Sequence, residues 1–299
     1  MSIVHTVIQP FIEYLKFEKR FSRHTIISYQ TDLTAFFDYL QLTFGNTPLS
    51  DISHTFIRSW LASLKEEGIT AKSINRKIST LRSFFKYEMK RGTLPQSPMG
   101  KVIAPKAEKR LPQFVADKDM ATLFNHVEFT PDWKGKTERL LLLLFYHTGM
   151  RLSEAIGLKE GGINFSNSTI KVLGKGNKER ILPVSRELIK ELQHYLSEKK
   201  TIQGAADLET LFITDKGKTL APRNVYSSVK KYLSLITTIE KRSPHILRHT
   251  FATHLMNNGA DLNAVKELLG HSSLAATQVY THNTIEKLKN IHKKAHPKA

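Results

Sequence analysis

Apolar residues recur along this chain mostly at spacings of three and four, the period of a helix with one buried face. Phe11, Tyr14 and Leu15 predict an amphipathic helix over 9–19, with Pro10 in a first turn where its missing N–H is tolerated. Val4, Val7 and Ile8 are placed to extend it. Ile26, Tyr29, Leu33, Phe36, Phe37 and Leu40 mark a second helix that starts at Ser22, whose hydroxyl can cap the first-turn amides, and stops at Gly45. A third begins near Ser53 and carries Phe56, Ile57, Trp60, Leu61 and Leu64 up to Gly68. A fourth, over 71–89, turns Ile74, Ile78, Leu81, Phe84 and Phe85 inward. Four such helices make one small bundle.

The pattern stops between Gly92 and Pro112, where Pro95, Pro98, Pro105 and Pro112 stand among basic and small residues, a composition that resists both helix and sheet. The expected division is a helical domain over 1–92, a linker over 93–112 and a second domain over 113–299. In the second, helices are expected over 117–127 and 137–147, then two short strands over 169–173 and 180–184. The Gly174-Lys175-Gly176-Asn177 turn joins them as a hairpin, and Pro183 points to an edge strand. From Ser185 onward the pattern is mainly helical, broken around Gly217 and Pro222. The fold class is mainly α with a small antiparallel β-sheet.

Composition narrows the partners. With 299 residues, 40% of them hydrophobic, the chain can fold two compact domains. Lys and Arg outnumber Asp and Glu by 45 to 27, a formal charge of +18 that repels itself unless a polyanion neutralises it. DNA, RNA or an anionic membrane would serve. The longest apolar run, 140–146, is far shorter than the roughly 20 residues of a membrane helix and reads as a buried core helix. No export signal is visible at the N-terminus. Without cysteine there is no disulfide framework, thiolate metal site or cysteine nucleophile, and the simplest compartment is the cytoplasm.

Four stretches carry candidate chemistry. In Thr148-Gly149-Met150-Arg151-Leu152-Ser153-Glu154, Gly149 can end one helix and set Arg151 at the start of the next, where helix amides and a guanidinium act on the same anion. The alternative is a surface pair of Arg151 with Glu154. Lys175 stands between two glycines at the hairpin tip, free to reach a ligand or to be a solvated basic turn. In Pro244-His245-Ile246-Leu247-Arg248-His249, His245 and Arg248 project from one side of a helix. His245 and His249 also have metal-ligand spacing, but no glutamate follows His245 and no third ligand is evident. Finally, His271 and Tyr280 would face opposite ways on an unbroken helix. Gly270 supplies a stop and Ser272 or Ser273 a fresh cap, the break that a shared site requires.

In this order the residues resemble the signature of the tyrosine recombinase family: Arg, Lys, His-x-x-Arg, His or Trp, then Tyr. The wording around them, Thr-Gly-Met-Arg-Leu-Ser-Glu, Gly-Lys-Gly-Asn-Lys-Glu-Arg, His-x-Leu-Arg-His-Thr-Phe-Ala-Thr-His and Leu-Gly-His-Ser-Ser, looks most like the Xer branch. The resemblance implies an N-terminal SAM-like core-binding domain and a C-terminal α/β catalytic domain. It makes Tyr280 the nucleophile, Arg151 and Arg248 the phosphate holders, His245 the base, His271 a phosphate donor and Lys175 the acid for the departing 5′-oxygen. No metal or nucleotide cofactor is implied. The partner is double-stranded DNA, held by a homo- or hetero-tetramer, with chromosome dimer resolution as the implied role. Lys72, Arg76, Lys77, Arg82, Lys86 and Lys90 on the fourth helix are candidate DNA contacts. An integrase of a mobile element, a type IB topoisomerase and a non-catalytic DNA-binding protein remain the alternatives.

Overall fold

A computed structural model describes residues 3–106, 113–174, 179–202 and 209–270, and the chain divides into two compact units, 1–110 and 111–299. The first unit opens with α1 (Ile3–Glu13), which continues as a π-helical turn over Tyr14–Glu18. This start is earlier than 9, and it leaves Pro10 inside the helix rather than in its first turn. Ile8, Phe11, Ile12 and Leu15 are all buried, so the core contact of this stripe outweighs the hydrogen bond that Pro10 cannot donate. Helix α2 (Arg23–Phe44) starts after Ser22, whose hydroxyl accepts from Thr25 N at 3.3 Å, and ends at Gly45 as its sequence predicts. Helices α3 (His54–Glu66) and α4 (Ala71–Lys90) complete the bundle.

Its core is aromatic. Phe84 meets Phe11 edge-on at 5.5 Å and Phe37 at 5.7 Å, and Trp60 closes against Phe36 at 5.1 Å. Such pairs add about 0.5–1.5 kcal/mol each beyond the burial of their area. Leu94, Met99 and Val102 are buried in the same core, with a 3-10 turn over Pro98–Lys101 between them. The stretch beginning at 93 therefore packs as part of the bundle as far as Val102, because its apolar positions find the core despite the surrounding prolines.

The second unit begins with α5 (Asp117–Asn125) and α6 (Trp133–Thr148). Helix α6 starts a turn earlier than 137, since Asp132 caps it by accepting from Gly135 N at 2.8 Å. Leu140, Leu141, Leu142, Leu144 and Phe145 are buried around most of its circumference, as the apolar run predicts for a core helix. A short helix α7 (Leu152–Ile156) leads to an antiparallel sheet of β1 (Ile163–Asn164), β2 (Thr169–Leu173) and β3 (Glu179–Pro183), in that order. Among the described residues β3 lies at the edge of the sheet, where Pro183 is tolerated. Ile170 pairs with Leu182 and both are buried with Val172, so position 180 shares their inward face.

Helices α8 (Arg186–Lys199), α9 (Pro222–Ile236), α10 (Pro244–Asn257) and α11 (Leu262–Leu269) enclose the rest. Helix α10 packs along α6, and Ala252, Val265 and Leu269 form a small cluster that joins α10 to α11. Buried His254 anchors α10 from its far end: Nε2 lies 2.9 Å from Val115 O, and Nδ1 lies 2.8 Å from Asp117 Oδ1. Among the described residues no helix is long and apolar enough to cross a membrane.

Candidate active site

The end of α6 sets the first part of the site. Gly149 closes the helix in the left-handed region at φ +57°, its N–H bonded to Phe145 O at 2.9 Å. A Cβ there would stand 2.3 Å from Phe251 Cδ1, so conformation and space both demand glycine. This sharp turn delivers Arg151 to the N-cap of α7. Its backbone N–H donates to Glu154 Oε2 at 2.7 Å and its Nη1 to Glu154 Oε1 at 2.8 Å.

The pair is not a surface salt bridge. Glu154 has a side-chain exposure of 2%, and Arg180 on β3 reaches it from the sheet with Nη1 and Nη2, each at 2.8 Å. Each carboxylate oxygen accepts one bond from each arginine. Burial alone would raise the Glu154 pKa. The hydrogen bonds from Arg180 and Arg151, with the Arg180 charge, reverse this and bring it to about 2. Glu154 is thus a fixed anion that holds two cations in place.

Arg248 on α10 is itself buried, with 5% exposure, and a buried guanidinium must find acceptors. Its Nη1 donates to Gly149 O at 2.7 Å and its Nη2 to Leu269 O at 2.6 Å. Arg151 Nη2 donates to Gly270 O at 3.0 Å, and Arg180 Nε to Leu268 O at 2.9 Å. Three consecutive carbonyls at the negative end of α11 are therefore each met by a different arginine. Gly270 ends α11 at φ +63°, the stop its sequence predicts.

His245 lies in the first turn of α10 and reaches solvent. Partial burial lowers its pKa from the usual histidine value, and the charges of Arg248 and Arg151 push it the same way. The imidazole is consequently neutral at pH 7, with a lone pair to accept a proton. His249 is shifted down as well, first by burial and then by His245 and Arg248. Among the described residues no group of three or more His, Asp or Glu side chains is arranged to hold a metal.

Of the six candidate catalytic residues, the structure brings together Arg151, His245 and Arg248. Lys175, His271 and Tyr280 lie outside the described residues. Arg180 and the buried state of Glu154 were missed by sequence reasoning. The parity of β3 carried a signal, since Leu182 is a core position and residue 180 shares its face. In the first unit, Lys72, Arg82, Lys86 and Lys90 of α4 are exposed. Lys77 instead turns inward. Its side chain is 12% exposed and bonds buried Asp32 at 3.0 Å, an anion it shares with Arg76 and with Thr80. The apolar stem follows the charge inward, placing Nζ 5.4 Å from the Trp60 ring centroid.

The helical bundle followed by a mixed domain matches the domain order of known proteins. Residues 8–92 match the phage integrase N-terminal SAM-like domain, and residues 113–287 match the phage integrase family. The chain belongs to this family and is a tyrosine recombinase, a site-specific enzyme of DNA strand cleavage and rejoining. It falls on the Xer-type branch. It is 37% identical over 302 residues to the tyrosine recombinase XerC of Oceanobacillus iheyensis, covering 100% of this chain and 98% of that one. It is 33% identical over 314 residues to XerC of Chlorobaculum tepidum, covering 97% and 94%. A crystal structure of XerH recombinase bound to difH substrate, in a pre-cleavage complex, superposes with a TM-score of 0.71 at 27% identity, covering 89% of this chain and 79% of that one.

Proposed function

We propose that Tyr280 is the nucleophile of this recombinase and that the arginine cluster around α11 holds the scissile phosphate. The supporting observation is that Arg151 and Arg248 converge on the carbonyls of Gly270 and Leu269, where the chain continues to His271 and Tyr280, and that His245 lies within reach of both of their charges. In this reading the Tyr280 oxygen attacks phosphorus and the bond to the 5′-oxygen breaks, leaving a 3′-phosphotyrosyl link and a free 5′-hydroxyl. Negative charge gathers on the non-bridging oxygens, which Arg151 and Arg248 hold with N–H groups pre-aimed by their carbonyl partners. A phenol with a pKa near 10 needs a base, and neutral His245 takes its proton. His271 donates to the phosphate and Lys175 protonates the leaving oxygen. Attack by the 5′-hydroxyl reverses the step and rejoins the strand.

The substrate is double-stranded DNA. Exchange between two duplexes takes four protomers, alone or with a second recombinase, and the XerH structure bound to difH supports this class of ligand. The +18 charge is of the sign that a DNA partner neutralises. Full-length similarity to XerC recombinases favours a cytoplasmic role in resolving chromosome dimers over mobility of an inserted element. The test is a nicked duplex carrying the target site, from which the cleaved fragment diffuses away. Wild type accumulates a covalent protein–DNA species that survives denaturant, and Tyr280→Phe does not. An adduct that persists in Tyr280→Phe refutes the assignment.

A further inference from the structure

We infer that Arg180 is a positioning residue for the reaction: it locks the β-hairpin, the Arg151 turn and the end of α11 into one register. The inference rests on the reading in which Arg151 holds the phosphate. Three elements distant in sequence meet here, and Arg180 belongs to one of them and bonds to the other two. It stands on β3, two residues after the 175–178 segment that contains Lys175. Its Nη1 and Nη2 grip Glu154, the carboxylate that also fixes the backbone and side chain of Arg151. Its Nε donates to Leu268 O, three residues before His271.

The geometry is specific to a guanidinium. Two parallel bonds to a carboxylate and a third, lateral bond to a carbonyl match the planar fork of arginine, whereas a lysine ammonium offers one nitrogen and cannot span both acceptors. The side chain is also enclosed, with 13% exposure. A Cβ at Gly270 would stand 3.2 Å from both Cδ and Nη1 of Arg180, so the glycine that ends α11 also leaves room for this side chain. All three guanidinium nitrogens of Arg180 donate to protein groups.

The test compares Arg180→Gln, Arg180→Lys and Glu154→Gln with wild type in the full-length enzyme, using the nicked duplex at saturating concentration. DNA affinity and thermal midpoint are measured alongside. The cleavage rate is expected to fall about 100-fold in Arg180→Gln, the scale of a small misplacement of reacting groups, while DNA affinity stays within about threefold. Arg180→Lys recovers little, and adding Glu154→Gln to Arg180→Gln costs less than the product of the two single losses, since both act through one carboxylate. A wild-type rate in Arg180→Lys overturns the inference. So does a rate loss that saturating DNA restores, or one that matches the loss of folded protein. Tyr280→Phe in the same assay reports on the underlying reading: an adduct there refutes that reading, whereas its absence alongside unimpaired Arg180 variants refutes only the role of Arg180.

Discussion

Charge placement at single residues governs this site. Glu154 accepts four hydrogen bonds from two arginines, and its pKa of about 2 stands below the ordinary carboxylate value of 4.5. A depressed carboxylate pKa stabilises the fold fully above the unfolded value and loses that contribution as pH falls toward the folded one. Thermal midpoints measured from pH 5 down to pH 2 should therefore fall less steeply in Glu154→Gln than in wild type, from a lower starting point. For His245 the sign concerns activity. Its lowered pKa keeps it neutral at pH 7, so the acid limb of the cleavage rate is expected to lie below the usual histidine value of 6.5 and to disappear in His245→Gln. An unchanged acid limb in that variant would remove His245 as the base. The sequence reading placed Arg151, His245 and Arg248 at their positions, because a family signature is carried by residue type and order. It left Arg180 out. Its inward parity on β3 was readable, but its partner on α7 was not, since a pairing between distant segments leaves no local spacing to read.

At the scale of elements, helix ends determine where these charges meet. Gly149 and Gly270 both close their helices with positive φ, and the carbonyls they expose receive Arg248 and Arg151. Gly149→Ala combines left-handed strain of about 1–2 kcal/mol with overpacking against Phe251 of about 1–3 kcal/mol. Chemical denaturation should show a loss in that combined range, and a loss under about 0.5 kcal/mol would mean that the turn relaxes freely. Both glycine stops were legible, as were the Ser22 cap, the core helix α6 and the edge position of β3. The start of α1 and the strand β1 were not. Pro10 reads as a first-turn residue by local propensity, yet burial of Ile8 on the stripe of Phe11 and Leu15 carries the helix past it. Two residues of β1 are too short to leave a periodic pattern, and the strand exists because Ile163 pairs with Ile170.

For the whole molecule, the excess of positive charge and the proposed DNA partner make binding salt-dependent. The logarithm of affinity should fall linearly with the logarithm of salt concentration, with a slope of about −0.9 per phosphate neutralised. The lysines of α4 separate on this measure. Lys86→Gln, at an exposed position, is expected to reduce the slope by up to one phosphate's worth without changing the thermal midpoint. Lys77→Gln is expected to lower the midpoint, because it removes a bond to the buried Asp32 carboxylate. Equal slopes and midpoints in the two variants would contradict this division. Charge excess and domain order were readable from the chain, but which face of α4 each lysine serves was not, since that depends on Asp32 of another helix. Tyr280 is proposed to carry the broken strand. Protease digestion of the trapped protein–DNA species, followed by mass spectrometry of the nucleotide-linked peptide, tests it most directly. The expected product is a 3′-phosphate ester on Tyr280 with a free 5′-hydroxyl on the released DNA; a link at any other residue, or through a 5′-phosphate, overturns the Tyr280 assignment.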